Sequence, residues 1–177
     1  FRLIADDQAL LDVCEQARTQ STVALDTEFV RVRTLYPKLG LIQLYAGDEV
    51  ALIDPTTIQD FSPFIALLAD ESVLKVLHAC GEDLEVFQHY FAQLPQPMCD
   101  TQVMANFLGF AGSIGFATLV QHYFHIEIDK GASRTDWLAR PLSEIQLRYA
   151  AADVWYLLPL YAQMQTQLAQ TEWQSAV

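Results

Sequence analysis

The order of the apolar segments predicts an α/β domain in which helices cover both faces of a mixed β-sheet. Two observations support this prediction. A hairpin-like pair of strands comes early in the sequence, and helical and strand-like segments then alternate. Hairpins give antiparallel pairs and β-α units give parallel ones, so one sheet that contains both is mixed. A length of 177 residues is enough for one domain with one sizeable core.

The N-terminal part is expected to hold one helix and three strands. The helix begins after Asp6 or Asp7, either of which can cap it. The strands are recognised by their β-branched and apolar runs, and the last two surround the turn residues Gly47 and Asp48. In order, these elements are the helix Ala9–Arg18 and the strands Thr22–Thr27, Leu41–Tyr45 and Val50–Ile53.

The remainder of the chain is expected to hold a fourth strand among several helices. The helix after that strand turns Leu84, Phe87 and Phe91 toward the core, and Ser143 is placed to cap a long final helix. The elements before the final helix are the helix Phe64–Leu68, the strand Val73–His78, and the helices Glu82–Tyr90, Thr101–Leu108 and Phe116–Tyr123.

The formal net charge of −12 argues against a phosphate-binding surface, because such surfaces draw on Lys and Arg. The positions of the basic residues weaken that objection, since seven of the ten flank the acidic motifs described below. Chance clustering on solvated loops explains the same distribution equally well. The seven residues are Arg31, Arg33, Lys38, Lys130, Arg134, Arg140 and Arg148.

The composition indicates neither export nor membrane insertion. The sequence has no run of about 18 apolar residues, and its start lacks the basic-then-apolar pattern of a secretion signal. Cys14, Cys80 and Cys99 are odd in number and widely spaced, which predicts buried small side chains rather than disulfides. We therefore expect a cytoplasmic protein with no membrane contact.

Four carboxylates and one phenol occupy positions that are hard to explain as solvated surface. Asp26 and Glu28, two apart on a strand, share one face. Tyr149 and Asp153, four apart on a helix, also share a face, in a segment otherwise built of Ala, Val, Trp, Tyr and Leu. An acid on such a helix is costly to bury unless it is paired or bound to a metal. Asp83 lies at the start of the predicted helix Glu82–Tyr90, between these motifs in the sequence.

Each acid taken alone has an ordinary explanation as a solvated strand end, a helix-start acid or part of an exposed stripe. Together they form an oxygen-rich set that suits Mg²⁺ or Mn²⁺ rather than Zn²⁺. Two such ions can activate water and stabilise the leaving oxygen in phosphodiester cleavage. A free phenol has a pKa of about 10, so Tyr149 is expected to orient the attacking water rather than to act as a strong base.

Longer stretches around these residues resemble a known family. Asp26-Thr27-Glu28-Phe29, Asp83 and Tyr149-x-x-x-Asp153 match, in order, the three motifs of the DEDD superfamily of 3′-5′ exonucleases, tyrosine branch. The resemblance extends from about Leu3 to Tyr161. The runs that are similar to the catalytic domain of the bacterial ribonuclease D family are Leu25–Val30, Gly40–Leu44, His78–Leu84 and Arg134–Leu142.

The resemblance implies a ribonuclease H-like fold and two-metal, 3′-to-5′ release of nucleoside 5′-monophosphates. In the numbering of this chain, Asp26, Glu28 and Asp153 would hold the first of two Mg²⁺ or Mn²⁺ ions. Asp26 would also bridge to the second ion, Asp83 would lie close to that ion through water, and Tyr149 would position the nucleophile. The resemblance also implies that residues 1–177 are the catalytic domain without the helical RNA-binding domains that follow it in the family.

Further residues are candidates for contact with the nucleic acid. Phe29 and Tyr36 could stack on a terminal base, and both fit a core position equally well. Lys130 and Arg134 could steady a phosphate, or be solvated on their loop. Gln43 and His78 are further candidates, and for each of them a contact with the protein backbone is the alternative. Thr27 is also a candidate because it lies inside the first motif.

The leading hypothesis is a monomeric, metal-dependent 3′-5′ exoribonuclease that acts on structured RNA 3′ ends, with tRNA precursors as the substrate that the resemblance implies. A DNA 3′-5′ exonuclease would use the same carboxylates, and nothing in the sequence shows a reader of the 2′-hydroxyl, so single-stranded DNA stays an alternative substrate. The third hypothesis is a nucleic-acid-binding module that has lost catalysis. Such a relic should have lost an acid, and this chain has all four.

Overall fold

A six-stranded mixed sheet forms the centre of the computed structural model, which describes residues 1–31 and 36–175. In chain order the strands are β1 (Arg2–Ile4), β2 (Thr22–Val30), β3 (Lys38–Tyr45), β4 (Val50–Ile53), β5 (Leu74–Leu77) and β6 (Met98–Asp100). Their order in the sheet is β1-β4-β3-β2-β5-β6. The β4-β3 and β3-β2 pairs are antiparallel, and the outer pairs are parallel. The prediction of a mixed sheet is confirmed.

Helices cover both faces of this sheet, as predicted. They are α1 (Asp7–Ala17), α2 (Ser62–Ala69), α3 (Gly81–Phe91), α4 (Thr101–Phe107), α5 (Phe116–Phe124) and α6 (Glu144–Ser175). Helices α1, α2 and α3 bury their apolar sides against one face. Helix α6 packs on the other face, and α4 and α5 pack against α6. None of the helices in the described part of the chain has the length and hydrophobicity needed to span a bilayer.

The alternation of side chains along β2 decides which residues face α6. Val23 and Leu25 belong to the core under α1–α3, whereas Ala24 belongs to the core under α6 together with Val154. Successive strand residues point to opposite faces. Asp26 and Glu28 therefore continue the row of Ala24 and face α6.

The caps predicted for two helices are confirmed. The Ala9 amide donates to Asp6 Oδ1 at 2.8 Å and so fixes the start of α1. The Gln146 amide donates to Ser143 Oγ at 3.1 Å, and the Ser143 amide donates back to Gln146 Oε1 at 3.0 Å. This reciprocal pair satisfies two amides that the first turn of α6 cannot bond internally.

Two strands were not predicted. β1 and β6 have three residues each and lie at the two edges of the sheet. A run of three residues is too short to show an alternating pattern, so only parallel pairing with β4 and β5 identifies them as strands. β6 matters for function because it ends at Asp100, beside the candidate site.

The segment before α6 is anchored to β3 by a close backbone approach. A Cβ at Gly40 would lie 2.5 Å from the carbonyl oxygen of the buried Trp137, so only glycine fits there. Arg140 uses its Nη1 and Nη2 groups to reach the carbonyls of Trp137 (2.7 Å) and Gly40 (2.7 Å). Its guanidinium also makes a two-pronged bond to the Asp54 carboxylate, at 3.1 and 3.0 Å. Arg140 is thus a structural clamp that positions the start of α6.

Candidate active site

Three parallel strands bring the candidate residues to one edge of the sheet. β2, β5 and β6 run in the same direction, so the segments that follow their pairing regions lie together. Asp26 and Glu28 belong to the far half of β2, His78 follows β5, and Asp100 ends β6. Asp83 comes from the first turn of α3, directly after the β5 turn.

Asp26, Glu28 and Asp153 form a compact group of carboxylates. One oxygen of each lies within 4.8 Å of the others. Asp26 and Glu28 are on the face of β2 that packs against α6, and Asp153 is on the side of α6 that meets it. The residues that the sequence predicted for one metal ion are therefore brought together by the fold.

Burial and crowding disfavour the ionised forms of these three acids. Burial, together with the charge of Asp26, raises the pKa of Glu28 to about 9. The pKa values of Asp26 and Asp153 are also raised well above their usual range, first by burial and then by the neighbouring carboxylates. A divalent cation would offset this repulsion, and an all-oxygen donor set suits Mg²⁺ or Mn²⁺. The residues present thus fit such an ion.

Asp83 is held in place by a neighbour on β2. Thr27, buried and facing away from α6, donates a short hydrogen bond from Oγ1 to Asp83 Oδ1. Burial raises the pKa of Asp83 to about 7, while the bond from Thr27 opposes the shift. Thr27, a candidate for substrate contact, thus lies beneath the site and orients Asp83.

Tyr149 lies one turn before Asp153 on α6 and lines the same cavity. Burial and the nearby charges of Asp153 and Glu28 raise the pKa of its phenol, so the hydroxyl stays protonated at neutral pH and can donate a hydrogen bond. The cavity has a volume of about 160 Å³, and its walls are Asp26, His78, Phe116, Tyr149, Asp153 and Leu157.

His78 is fixed by protein groups on both ring nitrogens. Nδ1 lies 2.8 Å from Thr101 Oγ1, and Nε2 lies 3.0 Å from the Ile114 carbonyl. Burial lowers the pKa of His78, which favours the neutral ring. Because a carbonyl only accepts, the Nε2 atom carries a proton. The Thr101 hydroxyl beside Nδ1 also lies 3.2 Å from the Leu77 carbonyl, to which it can donate. This geometry agrees with the alternative predicted from the sequence, in which the protein backbone binds His78. His78 also lines the cavity.

Gln43 is completely buried beneath the site. It pairs with Asp26 across the β2–β3 ladder, and its Nε2 donates to Glu28 Oε1 at 3.1 Å and to the Ala150 carbonyl at 3.4 Å. The structure therefore places Gln43, another candidate for substrate contact, against the carboxylates and the backbone of α6.

The two aromatic candidates lie against protein. Phe29 is half-buried and packs on the core under α1–α3. Tyr36 stacks on His89 with ring centroids 4.0 Å apart and planes 13° apart. Neither lines the cavity that contains Asp26 and Asp153.

The basic candidates divide into engaged and exposed groups. Arg31 pairs with Glu82 at 3.1 Å and Glu85 at 3.2 Å, and Arg140 is the clamp described above. Lys130 and Arg134 are exposed and make no ion pair with another residue of the described chain. Of the other basic residues that flank the acidic motifs, Lys38 is exposed and Arg148 pairs with Glu144. Arg33 lies outside the described residues.

Sequence reasoning missed two residues that shape the site. Phe116, at the start of α5, forms an apolar wall of the cavity next to His78. Asp100 accepts from the amides of Ala79 (2.9 Å) and Cys80 (3.0 Å) and so holds the turn that leads into α3 and Asp83. A positive φ of 52° at Ala79 shows how tight this turn is. No local pattern in the sequence marks either role, because both arise from packing between distant segments.

Carboxylates gathered from β2, α3 and α6 at one edge of the sheet are the ligands expected of a metal-dependent nuclease. A family model described as "3′-5′ exonuclease" matches residues 1–169. The chain belongs to this 3′-5′ exonuclease family. Within it, the chain is 62% identical over 177 residues to the ribonuclease D of Haemophilus influenzae, covering all of this chain and 44% of that protein.

Solved structures agree with this assignment. The crystal structure of Escherichia coli RNase D, described as an exoribonuclease involved in structured RNA processing, matches with a TM-score of 0.95 and 54% identity over 98% of this chain and 46% of that one. Brucella melitensis NrnC with bound Mg²⁺ matches with a TM-score of 0.81 and 26% identity, over 96% of this chain and 82% of that one. The ribonuclease H-like fold and the resemblance to ribonuclease D are confirmed.

The chain spans just under half the length of the ribonuclease D relatives it matches.

Proposed function

We propose that residues 1–177 form the catalytic domain of a metal-dependent 3′-5′ exoribonuclease that releases nucleoside 5′-monophosphates. This proposal rests on the group of Asp26, Glu28 and Asp153. These residues come from a strand and a helix, and their carboxylate oxygens lie within 4.8 Å of one another. Tyr149 lies on the cavity that contains two of them. A solvated surface would explain neither the burial of these acids nor their convergence.

Two divalent ions, Mg²⁺ or Mn²⁺, fit this donor set. Asp26, Glu28 and Asp153 would hold the first ion, and Asp26 with Asp83 would hold the second, the latter through water. When bound, the ions supply Lewis acidity for water attack and for charge on the leaving oxygen. Thr27 donates a hydrogen bond to Asp83, and Asp100 holds the turn that leads into the helix of Asp83. This separate support is consistent with a role for Asp83 at the second ion.

Tyr149 would orient the attacking water by donating a hydrogen bond. Its raised pKa keeps the phenol neutral, so it does not serve as the base. Tyr149 lies one turn before Asp153, and both residues line the cavity. A tyrosine that donates without changing its charge is suited to hold a nucleophile in one geometry over a wide pH range.

The terminal nucleotide would enter the cavity along the apolar wall formed by Phe116 and Leu157. Stacking on an aromatic ring reads any base without sequence preference, as an exonuclease requires. The exposed Lys130 and Arg134 are proposed to contact phosphates further along the strand. These contacts would act locally, because the net charge of −12 gives no general attraction for a polyanion.

RNA is the proposed substrate because two of the relatives, 62% and 54% identical to this chain, are ribonuclease D proteins. Structured RNA 3′ ends, such as those of tRNA precursors, are the proposed physiological targets, and the working form is proposed to be a cytoplasmic monomer. DNA is the second candidate substrate, since the same carboxylates would serve the cleavage of either nucleic acid.

Digestion of matched RNA and DNA oligonucleotides tests this proposal. Both are labelled at the 5′ end and incubated with Mg²⁺, with Mn²⁺, or with EDTA. We expect a ladder that shortens from the 3′ end of RNA, mononucleotide products, and no reaction with EDTA. Asp153→Asn should abolish the ladder, whereas the control Asp48→Asn, in the exposed β3–β4 turn, should not change it. If DNA is trimmed faster than RNA, DNA is the substrate. Trimming in the presence of EDTA would refute the proposed dependence on a metal ion.

A further inference from the structure

Gln43 is a buried polar residue that contacts both the strand and the helix of the candidate metal centre. It lies in the middle of β3, between β2 and β4, with no exposed surface. On one side it faces the β2 carboxylates, since it is the ladder partner of Asp26. On the other side it meets α6, the helix that carries Asp153. A substrate cannot reach this side chain.

A single amide nitrogen makes both contacts. Gln43 Nε2 donates to Glu28 Oε1 at 3.1 Å and to the Ala150 carbonyl at 3.4 Å. Ala150 directly follows Tyr149 and lies one turn before Asp153 on α6. The nitrogen therefore links the strand carboxylate to the helix segment that supplies the other proposed ligand and the proposed water-orienting phenol.

The other end of the same amide is unsatisfied. Gln43 Oε1 is buried and has no hydrogen-bond partner, the one such side-chain atom in the described part of the chain. Rotating the amide would turn its oxygen toward the Ala150 carbonyl, which only accepts, and toward Glu28, which only accepts in the ionised form that binds a metal. A buried acceptor without a donor lowers stability, and an apolar side chain of similar length would avoid that cost. Stability alone therefore does not explain a glutamine here.

We infer that Gln43 is a positioning residue: its amide nitrogen fixes the Glu28 carboxylate relative to α6, so that Glu28 and Asp153 present their oxygens to one divalent ion. This inference rests on the proposed function and adds a residue behind the ligands to it. Groups that orient metal ligands in this way typically contribute 10–100-fold to metal affinity.

The test compares Gln43→Met with the wild-type protein in two measurements. Mn²⁺ affinity is measured by isothermal titration calorimetry, and the thermal stability of the metal-free protein is measured by calorimetric melting. Methionine keeps the length and removes both the donor and the unpaired oxygen. We expect Mn²⁺ affinity to fall about 10-fold or more, while the metal-free melting temperature stays equal or rises. The KM for RNA at saturating Mn²⁺ should not change.

Gln146→Met is the matched control. Gln146 is also a buried glutamine, and its Nε2 donates to Thr135 Oγ1 at 2.9 Å and to the Asp136 carbonyl at 3.1 Å. Its loss should lower the melting temperature and leave the Mn²⁺ affinity within twofold. Gln43→Leu repeats the experiment with a shorter apolar side chain in case the methionine variant does not fold.

Wild-type Mn²⁺ affinity in a folded Gln43 variant would overturn the inference. A lower melting temperature with unchanged Mn²⁺ affinity would also overturn it, because Gln43 would then serve the fold alone. These results leave the proposed function standing if the wild-type protein trims RNA. A wild-type protein that binds Mn²⁺ but trims neither RNA nor DNA would instead refute the proposed function, and the affinity comparison would still decide the role of Gln43.

Discussion

The carboxyl groups of Asp26 on β2 and Asp153 on α6 lie together in the candidate site, with an oxygen of each within 4.8 Å of the other. Burial and the neighbouring carboxylates raise the pKa of both groups well above their usual range. The raised pKa values favour the protonated carboxyls, so a bound cation would have to displace protons from them. This relationship links metal binding, pH and stability in a single cluster, and it makes the metal-free protein sensitive to pH.

The metal-free protein should lose stability as the pH rises from about 5 to 9. Glu28 has a usual value of 4.5 and a folded-state pKa of about 9, and Asp83 changes from 3.8 to about 7. Between these values the unfolded chain releases protons that the folded chain keeps, so unfolding is favoured as pH rises. Urea unfolding at several pH values with EDTA measures the effect. Saturating Mg²⁺ should remove most of it, and a flat pH profile without metal would contradict these pKa shifts.

Removing one acid should stabilise the metal-free fold. Asp153→Asn takes away one of the crowded carboxyls and keeps its shape, so we expect the free energy of unfolding at pH 8 to rise by about 1–2 kcal/mol. The same variant should lose Mg²⁺-dependent trimming. Denaturant melts of the variant and of wild type, both in EDTA, provide the comparison. A destabilised variant would show that Asp153 supports the fold rather than the site.

Tyr149→Phe should slow trimming by about 10²–10⁴-fold if the hydroxyl orients the nucleophile. The ring stays in place against Trp137, whose centroid lies 6.1 Å away, so stability and metal affinity should change little. Tyr156→Phe, two turns further along α6 and outside the carboxylate cavity, is the control and should keep the wild-type rate. Single-turnover rates at saturating Mg²⁺ distinguish the two variants, and equal rates would remove Tyr149 from the mechanism.

Thr27→Val tests the support of Asp83. Valine has the shape of threonine but cannot donate to the carboxylate, so the pKa of Asp83 should rise further and its orientation should loosen. We expect trimming at pH 7 to fall about 10-fold, as for other residues that orient ligands, and to recover in part at higher pH. Thr22→Val, at the other end of β2, should leave the pH–rate profile unchanged. A Thr27 variant with the wild-type profile would refute this role.

Arg140→Lys should destabilise the fold, because a lysine cannot reproduce the planar fork that reaches Asp54, Trp137 and Gly40. A loss of about 2–4 kcal/mol is expected for a charged network of this kind. Arg148→Lys affects only an exposed pair with Glu144 and should cost less than about 0.5 kcal/mol. Chemical denaturation of both variants measures these losses. If Arg140 instead contacted a phosphate, Arg140→Lys would weaken RNA binding and leave the stability unchanged.

The sequence was sufficient for the elements that carry strong local patterns. The spacing of Asp26 and Glu28 and of Tyr149 and Asp153 indicated the faces that the structure brings together, and Asp6 and Ser143 marked the helix starts. Roles that depend on contacts between distant segments were not predictable. Thr27 and Gln43 had no local signal for their positions behind the ligands, because strand register decides which carboxylate each side chain reaches.

Asp26, Glu28 and Asp153 are proposed to bind together a divalent ion that the reaction requires. Anomalous diffraction from crystals soaked in Mn²⁺ tests this binding, since the signal locates the metal without reference to activity. We expect a strong peak within bonding distance of oxygens from all three residues, absent in Asp153→Asn. A peak elsewhere, or no peak in a protein that still trims RNA with Mn²⁺, would contradict it.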